Sequence, residues 1–206
     1  MTHPARIAIA VAVLAALQGA AYLAYRAVER SRAAGPTVAA TFAGERLRGG
    51  EAAPSLDGVR ADGSRVAIAW PSDRIRVVHF WATWCEPCRT ELPGLLALSR
   101  ELEPRGIDVI AVAVDDEWAD IRRFFDGNVP PEVVVATDPA VHKRFGVSTL
   151  PDSYVVDRAG TLVERFHGER DWRLPAARAH LLGFTGASPP RSRSGTVPES
   201  SRPAPR

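Results

Sequence analysis

Apolar positions along the chain fall into three patterns. From Ile7 to Tyr25, nineteen residues run with Gln18 as the only strongly polar member. Arg76–Ala82 (RVVHFWA) and Ile107–Val114 (IDVIAVAV) are short and almost wholly apolar, as strands covered on both faces are. Between them, the stretch from Glu86 to about Arg105 places Leu92, Leu95, Leu96 and Leu102 on one helical face. Further on, the pattern predicts helices at Trp118–Phe125 and Ala140–Phe145 and a strand at Glu132–Ala136. A closing helix is expected at Asp171–Leu182, with Asp171 as its N-cap. Hairpins are expected around Asp62-Gly63, joining Leu56–Arg60 to Arg65–Ala69, and around Asp157–Gly160, joining Ser153–Val156 to Leu162–Phe166. Strands that alternate with helices and end in a hairpin predict an α/β fold, a central mixed sheet flanked by helices.

The first apolar run would be about 28 Å long as a helix, close to the thickness of a bilayer core. It reads as an uncleaved transmembrane anchor, long for a signal peptide cut near Gly19-Ala20-Ala21. Arg6 precedes it, and Arg26, Arg30 and Arg32 follow. The positive-inside rule alone would leave the following domain in the cytoplasm; the cysteine chemistry below points to the other side. The expected organisation is a flank at 1–6, an anchor at 7–25, a linker at 26–47, a folded domain at 48–185 and a disordered tail at 186–206. Five Pro, five Ser and four Arg between Ala187 and Arg206 leave the tail without core-forming residues.

The chain has 206 residues, 46% of them hydrophobic, which supports one ordinary domain plus these extensions. The net charge is +2, yet residues 1–35 and 187–206 each carry four Arg against one Glu, so the middle is acidic. That acidic middle argues against a basic nucleic-acid-binding domain. Only two cysteines occur, Cys85 and Cys88. They cannot staple a scaffold, and no second pair exists for a paired zinc site. A redox pair remains, or two soft metal ligands in need of a third.

Trp84-Cys85-Glu86-Pro87-Cys88 follows the strand RVVHFWA and opens a helix. At a helix N-terminus, free N–H groups and the helix dipole favour a Cys85 thiolate. Cys88 lies one turn on, within disulfide reach. Pro87 stiffens the turn and gives up only an N–H that the first turn leaves unbonded. Such a pair exchanges disulfides: Cys85 attacks, a mixed disulfide forms, and Cys88 resolves it. Glu86 opposes the dipole, since its negative charge disfavours a thiolate beside it.

FWATWCEPC resembles the active site of thioredoxin-fold proteins, and Phe80–Pro93, FWATWCEPCRTELP, resembles their membrane-anchored TlpA/ResA-like branch. The resemblance spans roughly Ala52–Phe184 and includes that branch's inserted helix (Trp118–Phe125) and strand (Glu132–Ala136). It implies a thioredoxin fold and an extracytoplasmic thiol–disulfide oxidoreductase without a cofactor other than the Cys85–Cys88 pair. Inner-membrane attachment with the domain in the periplasm follows from it. So do protein clients, such as apocytochrome c haem-site or oxidase copper-site cysteines, and a membrane thiol donor of DsbD/CcdA type. Pro151 matches the family's cis-proline, which would hold the Leu150 backbone against Cys85 for pairing with a client strand beside Trp84. Pro93 matches the residue that kinks the first long helix, and Glu91 a glutamate that assists proton transfer.

Two positions depart from the family pattern. His79 stands six residues before Cys85, where an Asn or a buried Asp is usual. Protonated, it would stabilise a thiolate, an effect expected to be stronger near pH 6 than near pH 8. Asp152 stands where Thr is usual and would add negative charge beside the site. Two other functions are open to such residues. A Cu(I) chaperone would join Cys85 and Cys88 to His79, His142 or His167, although related chaperones use CxxxC. A thiol peroxidase would need a PxxxTxxC pattern, which is absent here.

Overall fold

Among the described residues, one eight-stranded mixed sheet organises the fold. The computed structural model describes residues 18–20, 22–23, 42–114 and 116–186. Most of the apolar run at 7–25, most of the linker and the tail from 187 on lie outside the described residues. Among the described residues no helix is long and apolar enough to cross a membrane. The strands are β1 (Glu45–Arg46), β2 (Leu56–Val59), β3 (Arg65–Ile68), β4 (Ile75–Trp81), β5 (Ile107–Ala113), β6 (Val133–Ala136), β7 (Asp152–Val156) and β8 (Leu162–His167). The helices are α1 (Glu86–Leu102), α2 (Trp118–Phe124), α3 (Val141–Arg144) and α4 (Pro175–Gly183). The sheet order is β1-β8-β7-β4-β5-β6-β2-β3. β4, β5 and β6 run parallel, and the remaining neighbours are antiparallel.

The two apolar runs become the central strands β4 and β5, buried on both faces as their composition requires. Alternation along β4 sends Val77 and Trp81 toward the helix α1 side, and Val78 and Phe80 toward the side of α3. Under α1 and α4, Val77, Leu95, Leu98, Leu102, Trp172 and Leu181 pack together. Under the cysteine end of α1, Trp81, Leu92, Leu96 and Ile121 pack with both cysteines. Each such aliphatic side chain, fully buried, contributes roughly 1.5–3 kcal/mol.

Two helix ends differ from the periodicity by three or four residues, for local reasons. α1 ends at Leu102, and Glu103–Arg105 form a 3-10 turn with Pro104 in it, closed by Gly106 at φ +83°. The last helix begins at Pro175, not Asp171. Leu174 is held extended (ψ 137°) ahead of the proline, which occupies the first helical turn. Asp171 instead accepts the Arg173 amide at 3.1 Å, closing a turn in the β8–α4 loop. β1 is only two residues long and has no periodicity to reveal it.

The stretch from Phe42, read from sequence as linker, packs on the domain. The Phe42 ring lies 5.5 Å from that of Phe166 and 5.1 Å from that of Trp172. Two residues on, the Gly44 amide donates to the buried Glu164 at 2.5 Å. His180 Nε2 on α4 is 3.0 Å from both Glu164 oxygens, and Arg46 Nε is 3.5 Å from one. Burial raises the Glu164 pKa, but these partners outweigh it and hold the carboxyl below its ordinary value.

At Gly58, where β2 meets β6, a Cβ would lie 2.2 Å from Val134 Cγ1 and 2.8 Å from the Val135 carbonyl oxygen. Gly58→Ala is therefore expected to cost roughly 2 kcal/mol in urea unfolding. An unchanged midpoint would show that the β2–β6 junction yields without loss.

Candidate active site

β4 ends at Trp81 and α1 starts at Glu86, so the cysteine pair sits where a central parallel strand hands over to a helix. Cys85 is the N-cap, in extended conformation, and Pro87 lies in the first turn. The Cys88 amide donates to Cys85 Sγ at 3.3 Å. The two sulfurs are joined as a disulfide, with Cα atoms 5.3 Å apart. Cys85 retains 6% exposure and Cys88 none, so only Cys85 is open to an incoming sulfur. Ahead of the pair, Asp116 from the β5–α2 loop accepts the Thr83 amide at 2.8 Å and its hydroxyl at 2.6 Å. That clamp fixes the chain entering the helix.

Glu91 is buried at 4% exposure, one turn beyond Cys88. It is not a solvated helix residue. The Arg170 amide, in the loop after β8, donates to its Oε2, while Oε1 has no hydrogen-bond partner. Burial pushes the Glu91 carboxyl from 4.5 up to about 7, against the lowering effect of the Arg170 amide. His79 is fully buried on the same face of β4 as Val77 and Trp81, with Nδ1 3.6 Å from Glu91 Oε1 and 2.8 Å from Ser153 Oγ. Burial drives its pKa from 6.5 to about 3. Burial thus disfavours the protonated His79 expected near pH 6, because the charged ring would lose its hydration without gaining a charged partner's full contact.

Asp152 does not add charge beside the site. It is fully buried, and Arg165 Nε donates to its two oxygens at 3.0 and 3.1 Å, with Nη2 at 2.5 Å. His167 Nδ1 stands 3.7 Å away. Strand alternation explains the difference from Ser153. Ser153 shares the face of Val155, under α1, whereas Asp152 shares the face of Tyr154, over which Arg165 lies at 5.2 Å.

The Leu150–Pro151 bond is cis, as is Trp70–Pro71. Leu150 packs against the cluster that holds both cysteines. Trp84 is 64% exposed, and with Val147, Thr149 and Leu150 it lines a cavity of about 280 Å³ beside the pair. A larger cavity, about 550 Å³, opens at the other end of α1 between Arg60, Arg76 and Arg100 and contains no cysteine. Glu86 points to solvent, 4.0 Å from Arg89 Nε. Among the described residues no three His, Cys, Asp or Glu side chains gather as metal ligands, and His79 is engaged with Ser153 and Glu91.

Sequence reasoning singled out Cys85, Cys88, Glu91, His79, Pro151, Leu150 and Trp84, and the fold gathers them at one end of the sheet. It missed Ser153, Thr83, Asp116 and Arg170. The spacing of Ser153 from Val155 carries its face, but only the β4–β7 pairing, His79 opposite Ser153, places it against the histidine.

The model of the AhpC/TSA family matches residues 50–165. The thiol-disulfide oxidoreductase ResA of Bacillus subtilis is 30% identical over 129 residues, covering 61% of this chain and 71% of that protein. The thiol:disulfide interchange protein HelX of Rhodobacter capsulatus is 33% identical over 97 residues, covering 46% of this chain and 53% of that one. A crystal structure of a thiol:disulfide interchange protein of the thioredoxin family from Chlorobium tepidum aligns with a TM-score of 0.57 at 25% identity. It covers 69% of this chain and 100% of the other.

The folded state binds the Glu91 proton more tightly than the unfolded chain does, which fixes a pH dependence of stability. The advantage is full below pH 4.5 and is lost as pH rises through about 7. Urea unfolding of the oxidised protein should lose up to about 3 kcal/mol across that window. Glu91→Gln should abolish this slope and be the more stable form at pH 8. Parallel profiles for the two proteins would show that the carboxyl titrates normally.

Proposed function

The chain belongs to the AhpC/TSA family of thioredoxin-like proteins and is a thiol–disulfide oxidoreductase, and we propose that it works as a reductase of protein disulfides outside the cytoplasm. The observation that carries this reading is the asymmetry of the pair: an open Cys85 capping α1, a closed Cys88, and a buried carboxyl one turn further on. In the dithiol form the Cys85 thiolate attacks one sulfur of a client disulfide, and the client's other sulfur leaves as a thiolate. Cys88 S–H then gives its proton to ionised Glu91. The resulting thiolate attacks Cys85 Sγ, closes the intramolecular disulfide and releases the second client thiolate. Two electrons pass to the client, and its two thiolates take up two protons.

Glu91, with a pKa raised to about 7, is divided between its two forms at neutral pH, as suits a group that must both accept and return a proton. Leu150 and the cis Pro151 present backbone to an extended client, and Trp84 supplies an exposed apolar wall. Arg165 neutralises Asp152, so the client meets no free charge there.

The apolar run at 7–25 anchors the domain in the inner membrane with the catalytic side in the periplasm. A thiol donor of DsbD/CcdA type regenerates the dithiol, and the clients include haem-site cysteines of apocytochrome c or copper-site cysteines of oxidases. The ResA and HelX relatives and the N-terminal hydrophobicity support this placement.

In cells, Cys88→Ser should accumulate client mixed disulfides through Cys85, and Cys85→Ser should trap few, as mass spectrometry of non-reducing complexes would reveal. Adducts on Cys88 in Cys85→Ser at equal yield would reverse the roles. A reporter that is active only in the periplasm, fused after Arg206, should be active and membrane-bound. A signal confined to the cytoplasm would overturn the orientation, and soluble periplasmic reporter would mean the anchor is cleaved.

A further inference from the structure

Among the described residues, His79 is a buried titratable group beside the cysteines to which the mechanism above gives no task. Its ring is wholly enclosed, and Nε2 has no hydrogen-bond partner. Nδ1 stands between two oxygens, Ser153 Oγ at 2.8 Å and Glu91 Oε1 at 3.6 Å. A neutral imidazole carries a single N–H. Placed on Nε2, that hydrogen would be a buried donor without an acceptor. Placed on Nδ1, it leaves only a bare lone pair at Nε2, the cheaper of the two orphans.

Glu91 has the complementary problem. When the carboxyl loses its proton inside the core, each oxygen needs a donor. Oε2 already receives the Arg170 amide, while Oε1 has no hydrogen bond; His79 Nδ1 stands 3.6 Å from Oε1, and the buried Trp172 indole N–H is the other side-chain donor that lowers the carboxyl's pKa. We propose that His79 is a positioning residue for Glu91, its Nδ1–H turning from Ser153 to Oε1 when the carboxyl ionises. The proposal rests on the reading that Glu91 takes the Cys88 proton, and it adds the group that makes the ionised state tolerable.

No charge on the histidine is required, in keeping with its complete burial. Cys88 and Glu91 face this space from α1, His79 from β4 and Ser153 from β7. From the loop after β8 come the Arg170 amide, the Trp172 indole and the charges of Glu169 and Arg170. The Trp172 indole lowers the Glu91 pKa as a donor, the Glu169 charge raises it and the Arg170 charge lowers it; all three are unchanged in the His79 and Ser153 variants, so the shifts between those variants report on Nδ1. Ser153 competes for the same nitrogen, so the two neighbours of His79 have opposite effects on the carboxyl.

The test follows Glu91 itself in the full-length oxidised protein, where the cysteines do not titrate. Its protonated carboxyl is tracked by the infrared C=O band that disappears in Glu91→Gln. His79→Leu removes the donor and should raise the midpoint by about one to two pH units, the worth of one hydrogen bond to a charged group. Ser153→Ala frees Nδ1 and should lower it. Unchanged midpoints in both variants would overturn the proposal. If His79→Leu does not fold, Ser153→Ala decides alone, since a shared nitrogen requires its downward shift. The resolving step in the reduced protein separates this inference from the reading beneath it. A rate that kept its pH dependence in Glu91→Gln would remove the base role of Glu91 and leave the shifts caused by His79 and Ser153 standing.

Discussion

Cys85 caps α1, and its sulfur receives the amide of Cys88. Several constraints converge on that one contact. The cap must stand where β4 ends, which places it at the rim of the sheet, beside the loop that carries Leu150 and Pro151. The helix behind it must descend along the sheet, which buries Cys88 and then Glu91 one turn later. The clamp of Asp116 on Thr83 fixes the approach, and the Cys85 amide closes on the Ala82 carbonyl at 3.2 Å. Reactive and protected sulfur are therefore consequences of helix geometry: successive turns of one element meet solvent and then core.

A mostly apolar interface thus contains a small polar island. Between α1 and the sheet lie Glu91, His79 and Ser153, with Leu92 and Leu95 around them. An aliphatic set at these positions would pack without the desolvation cost that raises the carboxyl and suppresses the imidazole. Keeping them lowers stability beside the cysteine pair, a cost common at functional sites. The ion pair of Asp152 with Arg165 has the opposite character. It sits on the other face of the same strand, fully partnered, and holds β7 to β8.

How far the sequence discloses this depends on whether a feature is local. The central strands, the long helix and the cysteine pair are written in runs and spacings, so an α/β fold with a mixed sheet and a redox-capable pair can be read directly; the thioredoxin-like architecture is legible only through the resemblance of FWATWCEPC. Glu91 shares a helical face with Cys88 by spacing alone, yet its burial depends on the Arg170 loop, which returns from 79 residues away. His79 is legible as a polar residue in an apolar strand, but its neutrality and its partners come from cross-strand register and enclosure. Asp152 misleads for the same reason. A one-position alternation on β7 separates it from Ser153, and the arginine that neutralises it is thirteen residues further on. The last helix starts late because Pro175 and the residue before it outweigh an apparent cap at Asp171.

The order of the sheet leaves two outer strands, β1 and β3, at opposite ends. β1 has only two residues, both charged and both exposed. β3 opens with the exposed Arg65 and extends for four residues. Unsatisfied edge amides would otherwise offer a template to any extended polypeptide, and brevity and charge are the devices that deny it. For a protein that exchanges disulfides with other polypeptides, as its relatives' names state of them, such blunted margins favour transient encounters at the cysteine rim over edge-to-edge β-pairing.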